Sequence, residues 1–131
     1  MSERIERITG WIRDLGIDLE YTNDLPPHRL GAYLDDECRI LIRAGLPLPL
    51  ELETLAHEFV HAWHHDRTSH PTVEWRAWRG AAQILINPEA YAAAELVSTS
   101  SLYIAQELGV TTRIVEIYRQ ALVRGEIALA A

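Results

Sequence analysis

A single cysteine, Cys38, among 131 residues excludes an intrachain disulfide, the usual staple of small secreted domains. Long apolar runs are also missing: no stretch approaches the ~20 residues that a membrane-crossing helix requires. Residues 2–7 are charged and lead into no apolar signal-peptide core, so the expected setting is the cytoplasm, with no membrane partner. Basic residues are in deficit, 12 against 19 acidic ones, giving a formal net charge of −7. That balance opposes non-specific attraction to phosphate backbones and argues against nucleic acid as a partner. There are no internal repeats, low-complexity tracts or charge blocks to suggest a repeat array or a disordered tail.

What is present suffices for a core. Hydrophobic residues make up 48% of a chain whose length suits one domain over 1–131. Ile5, Ile8, Ile12 and Leu15 recur at helical spacing until Gly16. Residues 17–22 read as a short strand, ended by Asn23-Asp24 and the Pro26-Pro27 pair. A second strand is expected at 31–34. A third, at 38–43, alternates Cys38, Ile40 and Ile42 against Arg39, Leu41 and Arg43. Short loops between the strands predict antiparallel pairing, and Cys38 is expected as a buried structural thiol. The 38–43 strand is expected to leave an open edge where an extended peptide can add, with Arg39 and Arg43 either selecting its side chains or serving only as solvated edge charges that discourage aggregation. From Leu50 onward the pattern is helical, at about 50–66, 72–86, 89–97, 99–108 and 112–124, with Gly109 and Gly125 as terminators. The fold class is therefore α+β, a small antiparallel sheet between an N-terminal helix and a helical C-terminal half.

The chemistry lies in His57-Glu58-Phe59-Val60-His61, an HExxH sequence. Residues four apart share a helix face, so both imidazoles can reach one metal ion. Glu58, one step round the helix, is placed to take a proton from the attacking water instead of binding the metal. Zinc suits such a site because it lowers the pKa of water towards ~7 and polarises a carbonyl, although iron and manganese accept the same ligand types. On a helical wheel Leu52, Leu55, Phe59, Ala62 and Trp63 form the core stripe, and His57, His61 and His64 form a ridge opposite.

A catalytic zinc usually takes three protein ligands and keeps a fourth position for water. The third is to be found among His64, His65, Asp66, His70, Glu74, Glu89 and Glu95. Glu74 leads, because it heads the apolar stripe of Ala77, Trp78, Ala81 and Leu85, where a carboxylate is costly to bury without a positive partner. Alternatively, Glu74 only meets the helix macrodipole at the surface. His64 continues the ridge, but three ligands from one straight helix converge poorly on a tetrahedral ion, so a role supporting the ligands or facing substrate suits it better. His65, Asp66 and His70 default to solvated positions at the helix end. Trp63, Trp75 and Trp78 read as core aromatics. Arg67 stands where a metzincin would carry a further histidine, which excludes that class.

These residues resemble the ImmA/IrrE-type metallopeptidases, in particular their short actinobacterial and phage forms. The likeness runs through Arg39-Ile40-Leu41-Ile42 and Thr54-Leu55-Ala56-His57-Glu58-Phe59-Val60-His61, which is similar to the family's T-L-A-H-E-x-x-H. It continues through Glu74-Trp75-Arg76-Ala77, Ala81-Ala82 and Leu85-Ile86, resembling E-x-x-A-(N/D)-x-x-A-A-x-x-L-I. The resemblance implies a zincin-like (gluzincin) metallo-endopeptidase, with zinc on His57, His61 and Glu74 and with Glu58 catalytic. It also implies a protein or peptide substrate, a DNA-binding repressor whose cleavage derepresses phage or mobile-element genes. One position departs: Trp78 stands where the family carries Asn or Asp, a residue type that can support a metal ligand. The stretch 104–115 resembles the family's helix-turn-helix-like end, so 98–125 is expected as a helix-turn-helix-like pair.

Two other classes remain open. A DNA-binding regulator would use Ala105, Gly109 and Thr112 at helix-turn-helix-like places and Arg113, Arg119 and Arg124 for contact. Glu116 and the acidic total count against it, and core packing explains Ile104, Ile114, Val115 and Tyr118 equally well. A catalytically silent zinc-binding interaction protein is the other class. Glu58 counts against it, since a structural metal has no need of a general base.

Overall fold

Ser2 opens the first helix by accepting hydrogen bonds from the N–H groups of Arg4 and Ile5, and Glu3 and Glu6 complement the dipole of its first turn. A computed structural model describes residues 2–128. Helix α1 (Glu3–Asp14) buries Ile5, Ile8 and Ile12, as their spacing predicts. Strands β1 (Asp18–Thr22) and β2 (Gly31–Leu34), a 3-10 turn (Asp35–Glu37) and strand β3 (Arg39–Arg43) follow. The chain then becomes helical: α2 (Leu48–Trp63), α3 (Pro71–Leu85), α4 (Pro88–Val97), α5 (Ser101–Leu108) and α6 (Thr112–Val123). Proline in the first turn of α2, α3 and α4, and side-chain caps from His70, Asn87, Ser100 and Thr111, set where the later helices begin. Gly109 ends α5 in the left-handed conformation, φ 66°. The α+β class stands, and no helix among the described residues is long and apolar enough to cross a membrane.

The sheet departs from its expected pairing. Its order is β1-β3-β2, with β3 antiparallel to β2 but parallel to β1. Alternation of apolar residues marks a strand without stating which neighbour it takes, and the chain here runs from one edge to the other before returning through the middle. Arg43 stabilises that crossing: its Nη2 donates to the carbonyls of Pro26 (2.7 Å) and Arg29 (2.9 Å). Arg39 lies between Glu20 (3.8 Å) and Glu37 (3.7 Å). With β3 paired on both sides, the expected peptide-binding edge at 38–43 does not exist. The open edges belong to β1 and β2, and Arg43 holds a loop. Cys38 is also displaced from its expected burial: it is exposed and left-handed at φ 49°, closing the 3-10 turn before β3 begins.

Helix α2 is the centre of the molecule. Of the expected histidine ridge only His64 is exposed: every residue from Leu52 to Ala62 is buried, His57 and His61 among them. Two glycines permit this. A Cβ on Gly31 of β2 would stand 2.6 Å from Thr54 Cγ2 and 3.2 Å from Glu58 Cγ. A Cβ on Gly80 of α3 would stand 2.9 Å from Val60 Cγ2. Sheet and helix thus close on α2 from two sides. At its C-terminal end Trp63 is 61% exposed, a departure from its expected core role, and His64 is exposed beside it.

Gly31→Ala and Gly80→Ala should each destabilise the fold by ~1–3 kcal/mol through overpacking. Gly10, inside α1 with nothing within 4 Å of a built Cβ, provides the control. Gly10→Ala should stabilise by ~0.5–1 kcal/mol through helix propensity. Urea unfolding midpoints measure all three, and equal midpoints for the Gly31, Gly80 and parent proteins would remove the two-sided clamp.

Candidate metal centre

His57 and His61 stand one turn apart on α2, and the first turn of α3 brings Glu74 to them. His61 Nε2 lies 3.2 Å from His57 Nε2 and 3.1 Å from Glu74 Oε2, and His57 Nε2 lies 3.3 Å from the same oxygen. Three potential ligand atoms therefore surround one point. Among the described residues this is the group of His, Cys, Asp and Glu side chains able to hold a metal ion. Of the other candidates, His65 reaches Asp35, His70 accepts from Thr72 N–H as the cap of α3, Glu95 accepts from the Tyr91 hydroxyl, and Glu89 is exposed. His64 is outside the cavity.

Asp66 has a part that its loop position does not disclose. Its side chain is 7% exposed. Oδ2 accepts from His61 Nδ1 at 2.9 Å, and Oδ1 accepts from Arg76 Nη2 at 2.5 Å. Its spacing from His61, just beyond the helix end, follows no helical period, so no sequence pattern marks it. The bond fixes the His61 tautomer: with the proton on Nδ1, Nε2 presents a lone pair. That lone pair faces the Glu74 carboxylate and the second imidazole nitrogen, an arrangement that is repulsive unless a proton or cation lies among them. Two imidazoles and a carboxylate are a donor set suited to a divalent cation such as zinc.

His57 is held differently. Burial, His61 and Arg113 lower its pKa to about 3, so the ring is neutral, the form that binds metal. Its Nδ1 is buried without a hydrogen-bond partner, and its ring packs on Trp78 with centroids 4.1 Å apart.

Glu58 is buried and opens onto a cavity of about 540 Å³ shared with His57, His61 and Glu74. Burial pushes its pKa up to about 7. The charges of His61 and Arg29 oppose the rise, Glu74 adds to it, and the Tyr33 backbone N–H opposes it. A carboxyl so tuned exchanges a proton near neutral pH. The cavity lip is tied at Asp35, which accepts from the Tyr33 hydroxyl, from Arg67 Nε (2.6 Å) and from His65 Nδ1 (3.2 Å). This joins the end of β2 to the loop between α2 and α3.

The C-terminal helices pack inward. Ile114, Val115 and Tyr118 are buried. Arg119 donates to the Tyr91 hydroxyl and Ser101, Arg124 lies over Trp75 at 4.3 Å, and Arg113 lies over Trp78 at 5.1 Å. All three arginines that a DNA-binding reading would use are engaged within the chain. Trp75 is half-buried and donates through Nε1 to Glu126, which also receives Arg79.

The family model Peptidase_M78, described as the IrrE N-terminal-like domain, matches residues 12–117. Comparison with curated proteins yields no match. The matched span starts in the last turn of α1 and ends within α6, so it takes in the sheet, the α2–α3 pair and the whole of the cavity. A match over most of its length places the chain in the ImmA/IrrE family of metal-dependent peptidases.

Proposed function

We propose that the protein is a zinc-dependent endopeptidase in which His57, His61 and Glu74 hold the metal and Glu58 is the general base. The observation that carries this reading is the meeting of His57 Nε2, His61 Nε2 and Glu74 Oε2 at 3.1–3.3 Å, with Asp66 fixing the tautomer of His61. Zinc, when bound, supplies Lewis acidity that makes water acidic near neutral pH and polarises a carbonyl. Glu58 takes the proton from the attacking water and delivers it to the departing amine as the peptide bond breaks. Its raised pKa suits both transfers, since a stronger acid would hold too little affinity for the proton in the first.

Substrate alignment falls to β2, the open edge beside the cavity. An extended peptide adding there would gain main-chain hydrogen bonds, with its side chains directed between the Asp35 lip and Arg29. Arg29 is anchored by Nε to the Gly31 carbonyl at 3.1 Å, which leaves the rest of its guanidinium for substrate. Kinship with the ImmA/IrrE family extends the reading to a DNA-binding repressor as substrate, cleaved in the cytoplasm to derepress phage or mobile-element genes.

Glu58→Gln should keep its zinc and its fold and lose at least ~10²-fold in cleavage rate. Metal analysis, and cleavage of a candidate repressor by parent and variant, measure this, and full activity in the variant overturns the base assignment. Glu74→Ala should empty the site as thoroughly as His61→Ala, whereas Glu89→Ala and Glu95→Ala should bind zinc normally. Normal zinc content in Glu74→Ala, with loss in Glu95→Ala, would show the third ligand to be misassigned. Asp66→Asn should weaken zinc binding ~10–100-fold by removing the carboxylate behind His61. A chelator competition that gave the parent's affinity for this variant would leave Asp66 with only a structural part.

A further inference from the structure

The two histidines of α2 face the same point but are supported in unlike ways. His61 donates from Nδ1 to a buried carboxylate that is itself held by Arg76. His57 has no equivalent, since its Nδ1 is buried and unpartnered. A hydrogen-bonded imidazole is fixed in tautomer and ring orientation, and its metal-facing nitrogen is more basic. An imidazole without that bond must be fixed by packing.

The packing is supplied by Trp78 of α3, whose ring lies 4.1 Å from that of His57, centroid to centroid, at 43° between planes. Trp78 in turn carries the Arg113 guanidinium over its ring at 5.1 Å. Arg113 belongs to the first turn of α6, and that turn is fastened to α2 through Glu53, one helical turn before His57. Thr111, the cap of α6, donates its hydroxyl to Glu53 Oε1 at 2.5 Å, and Arg113 Nη1 lies 3.9 Å from Glu53 Oε2. The Glu53 side chain is 3% exposed, a burial that an acid tolerates only with such partners. The contacts thus form a closed circuit, from Glu53 on α2 to the head of α6, to Trp78 on α3, and back to His57 on α2.

We propose that Trp78 is the positioning residue for His57, holding its imidazole in line with His61 and Glu74 by stacking, and that Arg113 and Glu53 hold Trp78, so that the grip on metal depends on α6 being docked. The proposal rests on the metal-centre reading given above and is independent of peptide cleavage. It gives Glu53, a buried acid with no part in the hydrolytic chemistry, a definite task. It also makes the two ligands of α2 unequal: His61 is set by a charge-assisted hydrogen bond, His57 by an aromatic face and a cation brought from the far end of the sequence.

The test compares the parent with Trp78→Phe, Trp78→Leu and Arg113→Gln. Zinc affinity is measured by chelator competition, the visible spectrum of the cobalt-loaded protein reports the ligand field, and thermal unfolding of each metal-free protein reports its fold. Leucine keeps much of the volume but offers no aromatic face, so Trp78→Leu should lose ~10–100-fold in zinc affinity and shift the cobalt bands. Trp78→Phe restores the face and should remain within about threefold of the parent, with the parent's cobalt spectrum. Arg113→Gln removes the cation over Trp78 and should shift the cobalt bands in the direction of Trp78→Leu. The spectrum is the readout here because loss of a charge that opposes a cation at His57 works against any fall in affinity. Parent-like affinity and spectrum in Trp78→Leu would overturn the proposal, as would a Phe variant no better than Leu. Should Trp78→Leu fail to fold, Arg113→Gln decides, because its side chain is 63% exposed and the Thr111 hydroxyl still meets Glu53 in its absence. A cobalt spectrum identical to the parent's there overturns the link to α6. A parent that binds zinc with this order among its variants but cuts no protein upholds the stack and overturns only the peptidase reading. A parent that takes up no zinc overturns both.

Discussion

Burial of the whole of α2 is the constraint that the rest of the structure answers. A helix buried from Leu52 to Ala62 that carries Glu53, Thr54, His57, Glu58 and His61 would be ruinous if those polar groups were left without partners. All but the His57 Nδ1 are met, and from different directions. Thr54 turns its hydroxyl back to the Leu50 carbonyl at 2.8 Å, Glu53 meets the head of α6, and His61 meets Asp66. Glu58 faces the cavity, and His57 faces Trp78. The order of elements along the chain, with α3 returning across α2 and α6 closing on both, follows from the need to supply these partners while excluding water from the apolar side.

Much of this was legible in the sequence because helices declare themselves by period. The expected helices at 50–66, 72–86, 89–97 and 112–124 agree with α2, α3, α4 and α6 to within a few residues. Glu74 could be singled out because it interrupts an apolar stripe, and the structure brings it to the two histidines. Features that depend on where the chain goes after an element ends were not legible. Parallel pairing of β1 with β3 leaves no mark on either strand, and Cys38 occupies an alternating position that the left-handed turn takes out of the strand. The histidine ridge holds for His57 and His61 but not for His64, for a related reason. A helical wheel finds one apolar face, but a helix clamped at Gly31 and Gly80 is buried on its polar side too, and His64 has left that side by the helix end.

Asp66 and Trp78 illustrate two limits of pattern. Asp66 follows the C-terminus of α2 among residues that look like an ordinary polar turn, and only the folded turn, with Asp66 N–H donating to the His61 carbonyl at 3.0 Å, points its carboxylate inward. Trp78 fits the apolar stripe of α3, a pattern that predicts a core aromatic. The structure agrees that it packs, but what it packs on is an imidazole of the candidate centre. A residue can satisfy a periodic pattern and still hold a position whose chemistry the pattern does not reveal.

The order of the sheet has a consequence for how the protein behaves at high concentration. A strand edge that will accept a peptide will also accept another copy of the chain, and both outer strands here present such edges. β2 offers only four residues, too few to template an extended stack, and β1 carries exposed Asp18 and Glu20. Two copies meeting through β1 would bring these carboxylates together on chains that already carry a net charge of −7 each. Short length at one edge and like charge at the other both oppose the pairing of a second copy along this sheet.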